Sequence, residues 1–186
     1  RNAMLQEIRE AKYLDVWDKQ MVEFGTEIIA KRKDFTDFLN KNLSKIYQSI
    51  SGLKESIKVI YATKINNYAS ELLNCRNYDI LRRQSTIGPH RDDLIFYIDD
   101  KEIVASASRG EFRSLLLAIK LAEIKFIQQK TGQNPVLLLD DVFSELDTKR
   151  QNHLLKAIRG CQTIITTTDA SHIKEIADIS EIIGFA

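Results

Sequence analysis

From Leu5 to Ile50 the chain has no proline and a single glycine, Gly25. Leu14, Trp17, Met21, Phe24 and Ile28 fall three and four apart, the spacing of one helix face. Phe35 and Phe38 keep that spacing; the stripe then slips by one and resumes at Leu39, Leu43, Ile46 and Ile50. A heptad-like stripe with one discontinuity predicts a long amphipathic helix, or two consecutive helices. Ser51-Gly52 ends it. The alternation over Ser56–Ala62 predicts a short strand. Residues 67–83 read as helical, with Tyr68, Leu72, Leu73, Tyr78 and Leu81 as the apolar side.

Thr86–Asp93 is a turn-rich loop that feeds a strand over Leu94–Ile98. Asp99-Asp100-Lys101 turns the chain, and Glu102–Ala105 is expected to return as the second strand of a hairpin. A helix starting at Ser108 or Arg109 and reaching Gln129 is apolar on more than one side, which predicts burial. Val136–Leu139, four apolar residues in a row, predict a parallel strand buried on both faces. A helix over Thr148–Ile158, a β-branched strand over Gln162–Thr168, a short helix from Ser171 and a last strand near Ile182–Phe185 complete the pattern. Strand–helix alternation of this kind predicts an α/β fold with a mostly parallel sheet. Two regions are expected: residues 4–80, a helical arm with a short strand near 56–62, and residues 81–186, an α/β head.

The apolar run 136–139 ends in Asp140-Asp141, and ligands of parallel α/β sheets bind at the carboxyl ends of strands. One such carboxylate can hold Mg²⁺ and the other can orient or deprotonate an attacking water; a strand ending in a polar turn looks the same in sequence. Ser108-Arg109-Gly110 opens the long helix, where backbone N–H groups and the helix dipole favour an anion. Ser108 adds a hydroxyl and Gly110 lets a phosphate approach the backbone. Arg91 can pair with Asp92, with Asp93 or with a phosphate, and His90 sits beside it.

Composition narrows this little. Residues 1–87 carry 15 Lys/Arg and 11 Asp/Glu (+4), and residues 88–186 carry 12 and 15 (−3). That mild polarity is no nucleic-acid signature by itself. Arg76, Arg82 and Arg83 form either a solvated basic face or a DNA contact. No apolar run approaches membrane-spanning length. Cys75 and Cys161 lack metal-site spacing and read as reduced thiols of a cytoplasmic protein. Arg1-Asn2-Ala3, ahead of Met4, are set aside as foreign to the fold.

The ordered set Ala107-Ser-Arg-Gly-Glu-Phe-Arg113, Leu137-Leu-Leu-Asp-Asp141 and Ser144-Glu-Leu-Asp147 resembles the second half of an ABC-type ATPase head. With Gly88-Pro-His-Arg-Asp-Asp-Leu94 it resembles the RecF family of bacterial recombinational-repair proteins, most clearly over residues 80–170. The resemblance implies lobe II of such a head plus a helical arm. It makes Ser108, Arg109, Gly110 and Glu111 the signature that caps ATP bound by a partner subunit. Asp140 would hold Mg²⁺, Asp141 would activate water, and Ser144 and Asp147 would form the D-loop at the dimer interface. Thr168 would stand at the switch-histidine position, and His90, Arg91, Asp92 and Asp93 would form the family's characteristic loop. It further implies an ATP-dependent homodimer that binds double-stranded and gapped single-stranded DNA. RecR and RecO would be its mediators, RecA an indirect partner and the SOS response its setting.

The signature departs from Leu-Ser-Gly-Gly-Gln, the water-activating carboxylate is Asp rather than Glu, and a Thr cannot carry a proton near neutral pH. These differences imply slow turnover. The phosphate-cradling Gly-x-x-x-x-Gly-Lys-Ser/Thr does not occur. The chain thus looks like the C-terminal part of a longer protein, and by itself it is expected neither to bind ATP tightly nor to hydrolyse it. A transporter nucleotide-binding subunit and a non-catalytic docking module are the alternative readings.

Overall fold

The computed structural model describes residues 1–7, 11–158 and 160–168. The helix expected from Ser171 and the strand near 182–185 lie outside the described residues. Helix α1 (Asn2–Glu7) and a 3₁₀ turn (Ala11–Leu14) lead into α2 (Asp15–Ser51). Then come β1 (Ile57–Ala62), α3 (Tyr68–Asn74), α4 (Arg76–Arg82), a 3₁₀ turn (Pro89–Arg91), β2 (Asp93–Ile98) and β3 (Lys101–Glu102). Helices α5 (Ile103–Ser106) and α6 (Arg109–Thr131), strand β4 (Leu137–Asp140), a 3₁₀ turn (Val142–Glu145), α7 (Thr148–Ala157) and β5 (Thr163–Thr166) follow. One sheet has the order β1-β2-β3, with β2 and β3 antiparallel; β4 and β5 form a parallel pair. The fold is α/β, a long helix and a parallel sheet consistent with an ABC-type ATPase lobe carrying a helical arm.

Two compact units interleave along the sequence: residues 1–37 with 59–96, and residues 38–58 with 97–186. In the first, Ile29, Ile65, Tyr68 and Leu72 form a core that Met21, Val22, Tyr61 and Ile87 flank. Gly25 is needed mid-helix because a Cβ there would stand 2.3 Å from the Tyr68 ring. The first half of the α2 stripe is only partly covered, since Trp17, Phe24 and Ile28 stay exposed. The apolar side expected over 67–83 is corrected in part: Tyr68 and Leu72 of α3 are buried, but Leu73 of α3 and Tyr78 and Leu81 of α4 are exposed, and Asp79 of α4 is buried. Asp79 turns inward because it has partners there.

Those partners include residues that sequence reasoning had set aside. The Arg1 side chain is 2% exposed and donates to Asp18 at 2.5 Å, to Asp79 at 2.6 Å and to Ser85 at 2.8 Å. Asn2 accepts from the Ser85 backbone and hydroxyl, both at 2.8 Å. Arg1-Asn2-Ala3 therefore belongs to the folded unit. Asp79 also caps the Thr86 backbone at 2.8 Å, and Arg76 closes the cluster on Asp15 and Asp18 at 2.6 Å each. Each buried charge faces an opposite one, as burial demands.

In the second unit Leu39, Leu43, Ile46, Tyr47 and Ile50 bury the other half of the α2 stripe. Leu115, Ala118, Leu121 and Ala122 of α6 and Leu154 of α7 are buried as well. Asp99 and Asp100 both take positive φ (44° and 64°), the mirror-image turn that suits strand twist. The return strand, however, lasts only Lys101–Glu102; Ile103–Ser106 is a helical turn with Ile103 buried. The doubly buried strand is also corrected. Leu137 and Leu139 point inward, but Leu138 is 70% and the neighbouring Ile164 54% exposed. Period-two alternation gives β4 two apolar faces, and the described elements cover one.

Candidate nucleotide and metal site

The parallel register sets Asp140 opposite Thr166 at the carboxyl ends of β4 and β5. The Thr166 hydroxyl donates to Asp140 Oδ1 at 2.5 Å. The Asp141 N–H donates to the Thr166 carbonyl at 3.1 Å, with the Thr166 Oγ1 at 3.2 Å. Asp141 is left-handed (φ 48°, ψ 26°), a conformation that Asp tolerates better than most residues but that still costs about 1–3 kcal/mol. It turns the chain sharply out of the strand into the Val142–Glu145 turn. Thr168, which the resemblance sets at the switch-histidine position, is exposed two residues beyond β5. Thr166 is the threonine that touches Asp140. It lies inside a β-branched run, and only the pairing register picks it out.

All donors at this strand end are oxygens, the set that Mg²⁺ prefers. Among the described residues no group of three His, Cys, Asp or Glu side chains could hold a metal. The residues therefore fit an ion completed by water and phosphate oxygens rather than one caged by protein.

The Val142–Glu145 turn is anchored by buried Phe143 and by Gln151, whose amide donates to the Phe143 and Leu146 carbonyls at 2.9 and 3.0 Å. Ser144 lies in this turn, with its side chain outside the described atoms. Asp147 is the N-cap of α7 and accepts from the Arg150 N–H at 2.9 Å. That bond, with the Arg150 charge, holds its carboxyl below the usual range.

Ser108 is the N-cap of α6 in a capping box: its Oγ accepts from the Glu111 N–H at 3.3 Å, and the Glu111 carboxylate accepts from the Ser108 N–H at 2.6 Å. Hydrogen bonds from Ser108 lower the Glu111 pKa. The box leaves Arg109 and Gly110, whose N–H groups have no intrahelical acceptor in a first turn. Ser108 and Arg109 are exposed. Two residues that sequence reasoning missed join this loop to Asp147. Arg150 donates through Nε to Ser114 Oγ at 2.9 Å and through Nη1 to Asp147. Ser114, fully buried, donates to the Gly110 carbonyl at 2.8 Å. Arg150 stands three residues after an N-cap acid, a spacing that could have signalled it; Ser114 carried no signal. Tyr47, also fully buried, has its pKa raised, first by burial and then by the Glu55 carboxylate.

The Gly88–Asp93 loop belongs to the first unit. Gly88 has φ 144°, and a Cβ there would stand 2.8 Å from the His90 ring and 2.9 Å from the Tyr68 hydroxyl. Arg32 donates to the Pro89 carbonyl. His90 Nε2 and Arg91 Nη2 each lie 3.3 Å from the Ser85 carbonyl. Asp92 accepts from the Tyr61 hydroxyl, and Asp93 from the Leu94 N–H at 2.8 Å. Burial, then the bond to Asp92, raises the Tyr61 pKa. An open cleft of about 810 Å³ beside the loop is lined by Lys64, Tyr78, Arg82 and Arg91, together with Asp92 and Asp93. The Arg82 guanidinium lies over the Tyr78 ring at 5.2 Å. Of the three arginines expected to make a basic face, Arg76 is spent on Asp15 and Asp18.

No described helix is long and apolar enough to cross a membrane. Cys75 and Cys161 are free thiols. No protein-family model matches the chain. It is 40% identical over 183 residues, 96% of its length, to the DNA replication and repair protein RecF of Lactococcus lactis subsp. lactis. It is 40% identical over 97% of its length to RecF of Streptococcus equi subsp. zooepidemicus, and 43% identical over 83% to RecF of Agathobacter rectalis. The chain spans about half the length of these relatives (51%, 52% and 43%). A solved structure of the recombination mediator protein RecF with ATP, in the RecFOR pathway, superposes with a TM-score of 0.73 at 29% identity. The match covers 91% of this chain and 49% of that one.

Proposed function

The chain is homologous, over nearly its whole length, to about half of the RecF DNA replication and repair proteins, and from that premise we propose that it supplies one side of an ATP-dependent clamp on DNA. One observation carries the reading. Within a single unit, Arg150 joins the exposed opening of α6, through Ser114 and the Gly110 carbonyl, to Asp147, which ends the turn that follows Asp140-Asp141, where Thr166 holds the Asp140 carboxylate. In the whole protein Mg-ATP supplies the phosphoanhydride that is hydrolysed. Ser108, Arg109 and Gly110 bind the terminal phosphate of a nucleotide held by a second subunit, using the free first-turn N–H groups and the Ser108 hydroxyl. Asp140, oriented by Thr166, is the Mg²⁺ carboxylate. Asp141 orients the attacking water. Asp147 and the turn before it line the dimer interface.

In this reading ATP controls dimerisation, and hydrolysis, slow and DNA-dependent, releases the DNA. The substrate is gapped DNA, where the dimer, with RecR and RecO, helps to load RecA. Lys64, Arg82 and Arg91 offer a cleft for backbone phosphates, and Tyr78 a ring for a base. The test is sedimentation of the whole protein with and without Mg-ATP, for wild type and Ser108→Arg. ATP-dependent dimerisation that Ser108→Arg abolishes is the expected result. A mass that ignores ATP, or a dimer indifferent to Ser108, overturns the reading and leaves a docking module.

A further inference from the structure

We infer that Arg150 is a positioning residue that locks the 144–147 turn to the 108–111 loop, so that the phosphate-capping loop and the strand-end carboxylates respond to a bound nucleotide as one body. The inference rests on the clamp reading above and assigns the coupling within it to one side chain.

A helix cap alone does not require this arrangement. The Asp147 carboxylate already meets the Arg150 N–H, which completes the N-cap of α7. The Arg150 side chain nevertheless folds back. One edge of its guanidinium meets Asp147, and its Nε enters the protein to reach Ser114 at 2.9 Å. Ser114 is 0% exposed and donates its hydroxyl to the Gly110 carbonyl at 2.8 Å. The path Asp147–Arg150–Ser114–Gly110 therefore ends on the backbone of the loop that caps phosphate. An ideal Cβ on Gly110 would stand 3.7 Å from Arg150 Nη2, so the guanidinium lies directly against that loop. A planar guanidinium fixes two acceptor directions at once, which an ammonium cannot do. Misplacing a reacting constellation by about 1 Å can cost up to about 100-fold in rate. A side chain that sets the spacing of these two loops is thus placed to govern turnover without touching nucleotide.

The test uses the whole protein and compares wild type with Arg150→Gln, Arg150→Lys, Ser114→Ala, the Arg150→Gln/Ser114→Ala double variant and Ser108→Arg. Steady-state ATPase, nucleotide affinity and ATP-dependent sedimentation are read for each. Arg150→Gln is expected to lower kcat about tenfold or more while KM for ATP stays within about threefold, because only the transition-state arrangement is lost. Arg150→Lys, which keeps the Asp147 pair, recovers part of the loss. The double variant is no slower than the worse single one, since both break one path. A kcat for Arg150→Gln within twofold of wild type, or additive single losses, overturns the inference. If Arg150→Gln does not fold, Arg150→Lys and Ser114→Ala decide by the same criteria. When Ser108→Arg abolishes dimerisation but the Arg150 variants turn over normally, only this inference falls. When Ser108→Arg changes nothing, the clamp reading fails and takes this inference with it.

Discussion

Thr166 donates its hydroxyl to Asp140 at 2.5 Å across the parallel pair β4–β5, while its carbonyl receives the Asp141 N–H at 3.1 Å. One residue thus holds the Asp140 carboxylate and the Asp141 backbone. Thr166→Val keeps the shape and the backbone bond and removes the hydroxyl. It is expected to lower ATP turnover of the whole protein about tenfold, with a stability loss of about 1 kcal/mol. Steady-state ATPase alongside a urea titration checks this; unchanged turnover would remove Thr166 from the site.

The Arg1–Asp18–Asp79 cluster predicts a stability effect far from any chemistry. Asp79→Ala leaves the Arg1 guanidinium buried opposite fewer charges, a loss of roughly 3–5 kcal/mol. Denaturant unfolding measures it. A cost below about 1 kcal/mol would mean that the cluster is solvated in solution.

Gly88→Ala combines a strained φ of 144° with contacts under 3 Å to His90 and Tyr68. The expected cost is about 1–3 kcal/mol, read as a fall in the midpoint of urea unfolding. Gly132→Ala, at φ 70° with open space around it, should cost less. Equal costs would show that contact at the Gly88 loop contributes nothing.

Acid should loosen the head loops first. Glu111 and Asp147 have folded pKa values below their ordinary 4.5 and 3.8. Depressed carboxylates add stability that is fully present above those ordinary values and is lost as pH falls through the lowered folded ones. Hydrogen-exchange protection at the first turns of α6 and α7, taken relative to the intrinsic amide rate at each pH, should therefore fall below about pH 4, and Glu111→Gln with Asp147→Asn should remove that fall. Protection there that stays constant with pH would contradict the capping role.

The cleft prediction concerns DNA. Arg82→Glu with Lys64→Glu should weaken DNA binding of the whole protein, and the slope of log affinity against log salt should shrink by about 1–2. A fluorescence titration at several salt concentrations gives both. An unchanged slope would place the DNA elsewhere.

Local signals were legible in the sequence because a few neighbouring residues determine them. Ser108-Arg109 opens a helix, Asp99-Asp100-Lys101 turns the chain, and 136–139 reads as a strand that ends in two acids. Helical spacing located α2 and α6 for the same reason. Other features come from residues far apart along the chain, where periodicity carries no information. Arg1 meets Asp79 across 78 positions, Arg150 meets Ser114 across 36, and Thr166 meets Asp140 across 26. Burial followed packing rather than pattern: Leu81 and Leu138 read as core but lie in the open, and Asp79 reads as surface but is enclosed by its partners. The sequence by itself determined the long helices, the turn at 99–101 and the two acids that end β4, but it overran β3 and did not separate α3 from α4. The tertiary structure alone decided which side chains meet, because hydrogen bonding and burial depend on distance in space.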